Sequence, residues 1–131
     1  MSHWWSSPAD LDALGQSLVA NGAGLFGGYH VAFGELTLTA AMPRIAEALP
    51  FLRDHPDARF EQLIDLAGAD YPQRQRRFDV VYHLLSLTKN QRIRVKVQTD
   101  EDTAVPSVVA VFASADWYER EAFDMYGIRF D

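Results

Sequence analysis

The stretch Arg92-Ile93-Arg94-Val95-Lys96-Val97-Gln98-Thr99 decides the fold. Ile93, Val95 and Val97 alternate with Arg92, Arg94 and Lys96, and successive strand side chains point to opposite faces of a sheet. The segment is therefore a β-strand with one face turned inward and the other toward water or a polar partner. Just upstream, residues 78–87 are more continuously apolar and predict a central strand covered on both faces, with Lys89-Asn90-Gln91 turning back into its neighbour. Residues 60–67 predict a strand before it, and three consecutive strands separated by turn residues favour an antiparallel core.

Toward the N-terminus, Pro43 suits the first turn of a helix that carries Ile45, Ala48, Leu49 and Leu52 and stops before Pro56. Residues 29–33 and 36–39 flank Gly34-Glu35 and predict a hairpin. Before a glycine-rich link, Pro8 and Asp10 open a helix with Leu11, Leu14, Leu18 and Val19 at helical spacing, ending near Asn21-Gly22. Toward the C-terminus, Asp100-Glu101-Asp102 forms a charged turn, and Val105-Pro106-Ser107 leads into an apolar stretch to Phe112 that reads as a short helix, with a strand as the alternative. Residues 114–126 predict a last helix, with Ala115, Tyr118, Ala122 and Met125 on its inner face and Gly127 as its stop. Helices first and strands later make an α+β two-layer sandwich, its sheet mainly antiparallel or mixed and its helices on one face. Residues 1–131 form one domain of ordinary size.

Composition narrows the function. With 18 acidic and 12 basic residues the net charge is −6, which repels a phosphate backbone or an anionic lipid surface. Arg74, Arg76 and Arg77 are the densest basic group and read as solvated, so nucleic acid is not an expected partner. Without cysteine, the chain by itself offers no thiolate for an iron–sulfur cluster, a zinc site or a disulfide. Apolar runs fall far short of the roughly 20 residues that span a bilayer, and the first residues lack a signal pattern, so a soluble bacterial protein inside the cell is expected.

Candidate chemistry is sparse. Gly22-Ala23-Gly24-Leu25-Phe26-Gly27 matches a dinucleotide-binding pattern by letters, with Glu47 downstream where a ribose-binding acid would stand, yet it follows a helix and precedes a hairpin. A flexible connection is the better reading. His3, His30, His55 and His83 have no metal-ligand spacing. His83 invites a proton-shuttle role, but a histidine hydrogen-bonded to a neighbouring strand or subunit explains it more simply. The dense polar group is Glu119, Arg120, Glu121 and Asp124, set among Trp117, Tyr118, Phe123 and Tyr126. At about 100° per residue, Trp117, Glu121 and Asp124 share a face and Arg120 reaches Asp124. Glu121 and Asp124 could act as acid and base with Arg120 as an anion clamp, but no third group supports them. Aromatic surface beyond what one small sheet covers, beside an arginine, has the make-up of a protein-docking surface.

Trp117-Tyr118-Glu119-Arg120-Glu121-Ala122-Phe123-Asp124-Met125-Tyr126-Gly127-Ile128 closely resembles the signature of the 30-kDa subunit family of respiratory complex I. Asp70-Tyr71-Pro72, Arg77-Phe78, residues 80–87, Asn90, residues 92–96 and Val105-Pro106-Ser107 follow the same family's pattern in order. The likeness is strong over residues 60–130. It implies a structural subunit of the hydrophilic arm of a proton-translocating NADH:quinone oxidoreductase, packed against a 49-kDa-type large subunit on the cytoplasmic side of the inner membrane. The resemblance implies no cofactor in this chain, flavin and iron–sulfur clusters on partner subunits, and enzyme activity only in the assembly. It makes Trp117, Tyr118, Glu119, Arg120, Glu121, Asp124 and Gly127 the expected subunit interface. Such proteins continue into a histidine- and proline-containing extension, which a chain stopping at Asp131 would lack. The equivalent subunit of a related membrane-bound hydrogenase is the nearest alternative, and a generic adaptor domain a more distant one.

Overall fold

The computed structural model describes residues 7–131. The readings placed on His3, Trp4 and Trp5 lie outside these residues. Helix α1 (Pro8–Asn21) opens where the Asp10 N–H donates to the Ser7 hydroxyl at 3.1 Å, which satisfies one of the free donors of the first turn. Strands β1 (Phe26–Ala32) and β2 (Glu35–Ala40) form an antiparallel hairpin. Its turn is Phe33-Gly34, with φ of 53° and 73°, rather than Gly34-Glu35. Left-handed conformation at both central residues matches the twist of the flanking strands, and that geometry moves Glu35 into β2.

A 3-10 turn at Met42–Arg44 runs into α2 (Ile45–Asp54), which buries Ile45, Ala48, Leu49 and Leu52. Strands β3 (Gln62–Asp70), β4 (Phe78–Ser86) and β5 (Gln91–Thr99) follow, and α3 (Ala115–Tyr126) closes the fold. The five strands lie in the order β1-β2-β5-β4-β3. All neighbours are antiparallel except β2 and β5, which run parallel, so the sheet is mixed.

Register fixes the two faces. Leu36 pairs with Ile93 and Leu38 with Val95, while Val80, Tyr82 and Leu84 oppose Val97, Val95 and Ile93. These residues are buried and point to one face. All three helices cover that face. A Cβ on Gly15 of α1 would sit 2.5 Å from the Tyr29 ring, and one on Gly68 of β3 would sit 2.8 Å from Tyr126 of α3. The Phe51 ring of α2 meets Phe26 of β1 at 6.0 Å between centroids. The opposite sheet face carries Arg92, Arg94 and Lys96, as the alternation of β5 requires.

Two expectations change here. Strand β4 lies inside the sheet between β5 and β3, as expected, but Val81, His83 and Leu85 on its far face are only half-buried, so it is covered on one face and not both. The apolar run of β4 exceeds what burial demands. The segment from Val105 to Phe112 is not a helix. Val105 forms a parallel bridge with Phe130, its N–H donating to Arg129 O at 2.8 Å. The Val108 N–H is held by the Glu119 carboxylate, and the Val111 and Phe112 N–H groups both donate to Val108 O, so the segment forms only a turn at 108–112.

Candidate functional site

Helix α3 meets the rest of the protein through Ala115, Tyr118, Glu119, Ala122 and Tyr126, which fall within about a third of a turn at 100° per residue. Two of its contacts are made to the backbone of edge strand β3. The Tyr118 hydroxyl donates to Ile64 O at 2.9 Å, and the Ser114 hydroxyl to Leu63 O at 3.2 Å. Ser114, at the N-cap, has a helical backbone with φ of −61° and ψ of −20° rather than the extended one a capping side chain needs, and it does not cap the helix. The β3 pairing with β4 shifts register between Leu63 and Asp65, and the two carbonyls taken by α3 lie at that bulge.

Glu119 is the anchor. It is 7% exposed, and its two oxygens accept from the Ser107 hydroxyl at 2.7 Å and the Val108 N–H at 2.8 Å. A carboxylate buried within its own chain and bonded on both oxygens fixes the loop before α3 to the helix, so Glu119 serves the inside of this protein rather than an outer surface. Gly127 likewise has an internal role. Its φ of 76° is the left-handed turn that ends α3, with its N–H donating to Phe123 O.

The outer arc of α3 carries Asp116, Trp117, Arg120, Glu121, Phe123, Asp124 and Met125, all exposed. Trp117 is 64%, Phe123 52% and Met125 66% accessible. Met125 therefore lies on the outer face, not the inner one. The pairing of Arg120 also differs from expectation. Its Nη2 lies 3.8 Å from Asp116 one turn earlier, which draws it away from Asp124. Among the described residues Glu121 and Asp124 take part in no ion pair. Both are exposed, and no third charged group pairs with either among the described residues.

Other candidates resolve into structural roles. Ala23 and Gly24 are left-handed in the link between α1 and β1, and Ala23 O accepts from Arg44 Nη1 at 3.2 Å. Arg44 also pairs with Glu47, so the acid that a ribose hydroxyl would need is occupied in closing that link. Arg74 pairs with Asp79 at 2.5 Å and stacks 4.2 Å above the Tyr71 ring. Arg77 grips both oxygens of Asp70 at 2.9 and 2.7 Å and also contacts Glu101. Two of the three arginines expected to be solvated are thus committed to the loop between β3 and β4. His83 lies on the open sheet face between Asp65 and Arg94 in register, at a cleft of about 600 Å³. Among the described residues no group of three or more His, Cys, Asp or Glu is arranged to hold a metal, and no helix is long and apolar enough to cross a membrane.

Sequence reasoning misses Ser107 and Val108 as the partners of Glu119.

Residues 38–131 match the family described as the respiratory-chain NADH dehydrogenase 30 kDa subunit. A protein of Caulobacter sp. strain K31, named as a subunit of NADH-quinone oxidoreductase, is 69% identical over 121 residues, covering 92% of this chain and 56% of that protein. Its namesake from Phenylobacterium zucineum strain HLK1 is 66% identical over 128 residues, covering 98% of this chain and 60% of its own length. The chain thus spans little more than half the length of these relatives. Among solved structures, a chain of the membrane-bound sulfane sulfur reductase, an archaeal respiratory membrane complex, superposes with a TM-score of 0.75. That superposition covers 94% of this chain and 71% of the other at 21% identity, a likeness of fold.

Proposed function

Because the chain belongs to the family of the respiratory-chain NADH dehydrogenase 30 kDa subunit, we propose that it is a structural subunit of an NADH:quinone oxidoreductase that docks onto a larger neighbour through the outer arc of α3. The observation that carries the docking reading is the exposure of Trp117, Phe123 and Met125 on one short helix. Fully burying a Phe or Met side chain is worth about 1.5–3 kcal/mol, and rigid aromatics beside an arginine are the residues that dominate protein interfaces. In this reading Trp117, Arg120, Glu121 and Asp124 meet the partner directly. Tyr118, Glu119 and Gly127 hold the helix in the pose that presents them.

The partner we propose is a 49-kDa-type large subunit in the hydrophilic arm, on the cytoplasmic side of the inner membrane. Electron transfer from NADH to quinone then runs through flavin and iron–sulfur clusters on other subunits, and this chain shapes the assembly without a cofactor of its own. The equivalent subunit of a related membrane-bound respiratory complex shares the fold, but relatives at 69% and 66% identity favour the NADH-linked complex over a neighbour at 21%.

Affinity purification of the tagged chain from membranes of its bacterial host tests the reading. The expected result is recovery together with flavin- and cluster-bearing subunits and NADH:quinone activity, lost when Trp117 and Phe123 are both changed to alanine. Recovery of the unaltered chain without those subunits would sink it.

A further inference from the structure

Strand β3 is an edge of the sheet, and α3 lies over it. The Tyr71 N–H donates to Arg77 O where the β3–β4 hairpin closes. Alternation along an antiparallel pair then turns the N–H and C=O of Leu66, Gly68 and Asp70 away from β4, toward the open edge. Upstream, the free carbonyls of Leu63 and Ile64 are taken by Ser114 and Tyr118. Beyond them the edge is left open, and no backbone partner among the described residues meets Leu66, Gly68 or Asp70 on that side.

The open part is not bare surface but the floor of a groove. A cleft of about 110 Å³ runs between Leu66, Ala67 and Gly68 of β3 and Glu121, Ala122 and Met125 of α3. On the α3 side it is walled by Met125, Tyr126 and the Glu121 carboxylate. The space where a Gly68 side chain would stand is filled by Tyr126 and Ile128, 2.8 and 2.9 Å from a Cβ placed there, so glycine lets the end of α3 lie close over the β3 edge.

From this geometry we infer that the β3 edge accepts an extended segment of a partner subunit as a sixth strand, laid beside α3 and carrying a Lys or Arg toward Glu121. Unpaired peptide groups select a strand, because only an extended backbone matches their spacing, and such additions draw affinity from main-chain bonds and specificity from adjoining pockets. The acids Glu121 and Asp124, in no ion pair among the described residues, on a chain of net charge −6, select a basic residue on that strand. The inference rests on the docking role of α3 and adds how the partner is gripped.

Amide hydrogen exchange, resolved residue by residue and compared between the chain alone and the purified complex, tests it. The amides of Leu66, Gly68 and Asp70 are expected to exchange readily in the chain alone and at least tenfold more slowly in the complex. Changing Glu121 to lysine is expected to speed dissociation about tenfold while leaving the melting temperature of the chain unchanged. Slowed exchange in α3 with unchanged β3 edge amides would overturn the strand addition while leaving the docking reading intact. Unchanged exchange in both would remove both. Slowing in the chain alone that grows with its concentration would identify the occupant as a second copy, and that also refutes a partner strand.

Discussion

The Glu119 carboxylate and Ser107 hydroxyl, 2.7 Å apart across 12 positions of sequence, tie α3 to the loop that leads into it. With the Val108 N–H on the second oxygen, both oxygens of this buried carboxylate are bonded within the chain. Removing the side chain orphans a buried backbone donor, which costs about 1–3 kcal/mol, and hydrogen bonds to a charged acceptor lie at the upper end of the usual range. Glu119→Ala is therefore expected to destabilise the chain by about 3 kcal/mol in urea unfolding, and Ser107→Ala by about 1 kcal/mol. A double-mutant cycle should show the two coupled. A Glu119→Ala chain of unchanged stability that fails only to assemble would return the residue to the interface.

Gly68 makes a sharper steric prediction. A methyl group there would stand 2.8 Å from the Tyr126 ring and 2.9 Å from Ile128, closer than packed carbons tolerate. Overfilling of this kind costs typically 1–3 kcal/mol. Gly68→Ala should lower stability by about 2 kcal/mol in chemical denaturation, although alanine suits a strand at least as well as glycine by propensity alone. A neutral or stabilising result would mean that α3 can move away from β3.

Legibility in the sequence followed the range of the forces involved. β5 could be read because alternation of Ile93, Val95 and Val97 with charged neighbours is a local signal, and α1 because Pro8 and Asp10 mark its start. The segment after Val105 could not, because its conformation is set by Glu119, and no periodicity records a bond made to a residue farther along the chain. The aromatic helix was visible as a surface too apolar for one core. Which of its residues face outward was only partly visible, since Met125 and Glu119 exchange the places that hydropathy gives them. A glutamate inside and a methionine outside are local inconsistencies that the fold resolves through specific bonds.

The Arg77 grip on Asp70 makes acid stability testable. Hydrogen bonding to the guanidinium holds the Asp70 carboxyl below its ordinary value. A carboxyl with a depressed folded value stabilises the native state at pH above its unfolded value, about 3.9. That contribution fades as the pH falls through the depressed value, because protonation releases the arginine. The melting-temperature difference between the natural chain and Asp70→Asn should therefore be full at pH 6 and vanish at lower pH. Both residues are solvent-accessible, so added salt should shrink it as well. A difference that persists undiminished in acid would assign the effect to packing of the loop instead.

Tyr82 supplies the last test, and here removal of a polar group is expected to help. Its side chain is fully buried between Leu66 and Val95 on the helix-covered face, and its hydroxyl meets no hydrogen-bond partner among the described residues. Burial pushes its ionisation well above the ordinary tyrosine value, and the negative charge of Glu119 adds to that shift. A buried hydroxyl without a partner costs about 1–3 kcal/mol relative to one left in water, whereas phenylalanine fills the same space without the polar atom. Tyr82→Phe is thus expected to raise stability by about 1 kcal/mol in urea unfolding, with the fold unchanged. If it instead lowers stability by a similar amount, the hydroxyl is bonded through a buried water, for which the nearby carboxylate of Glu119 is the acceptor to examine.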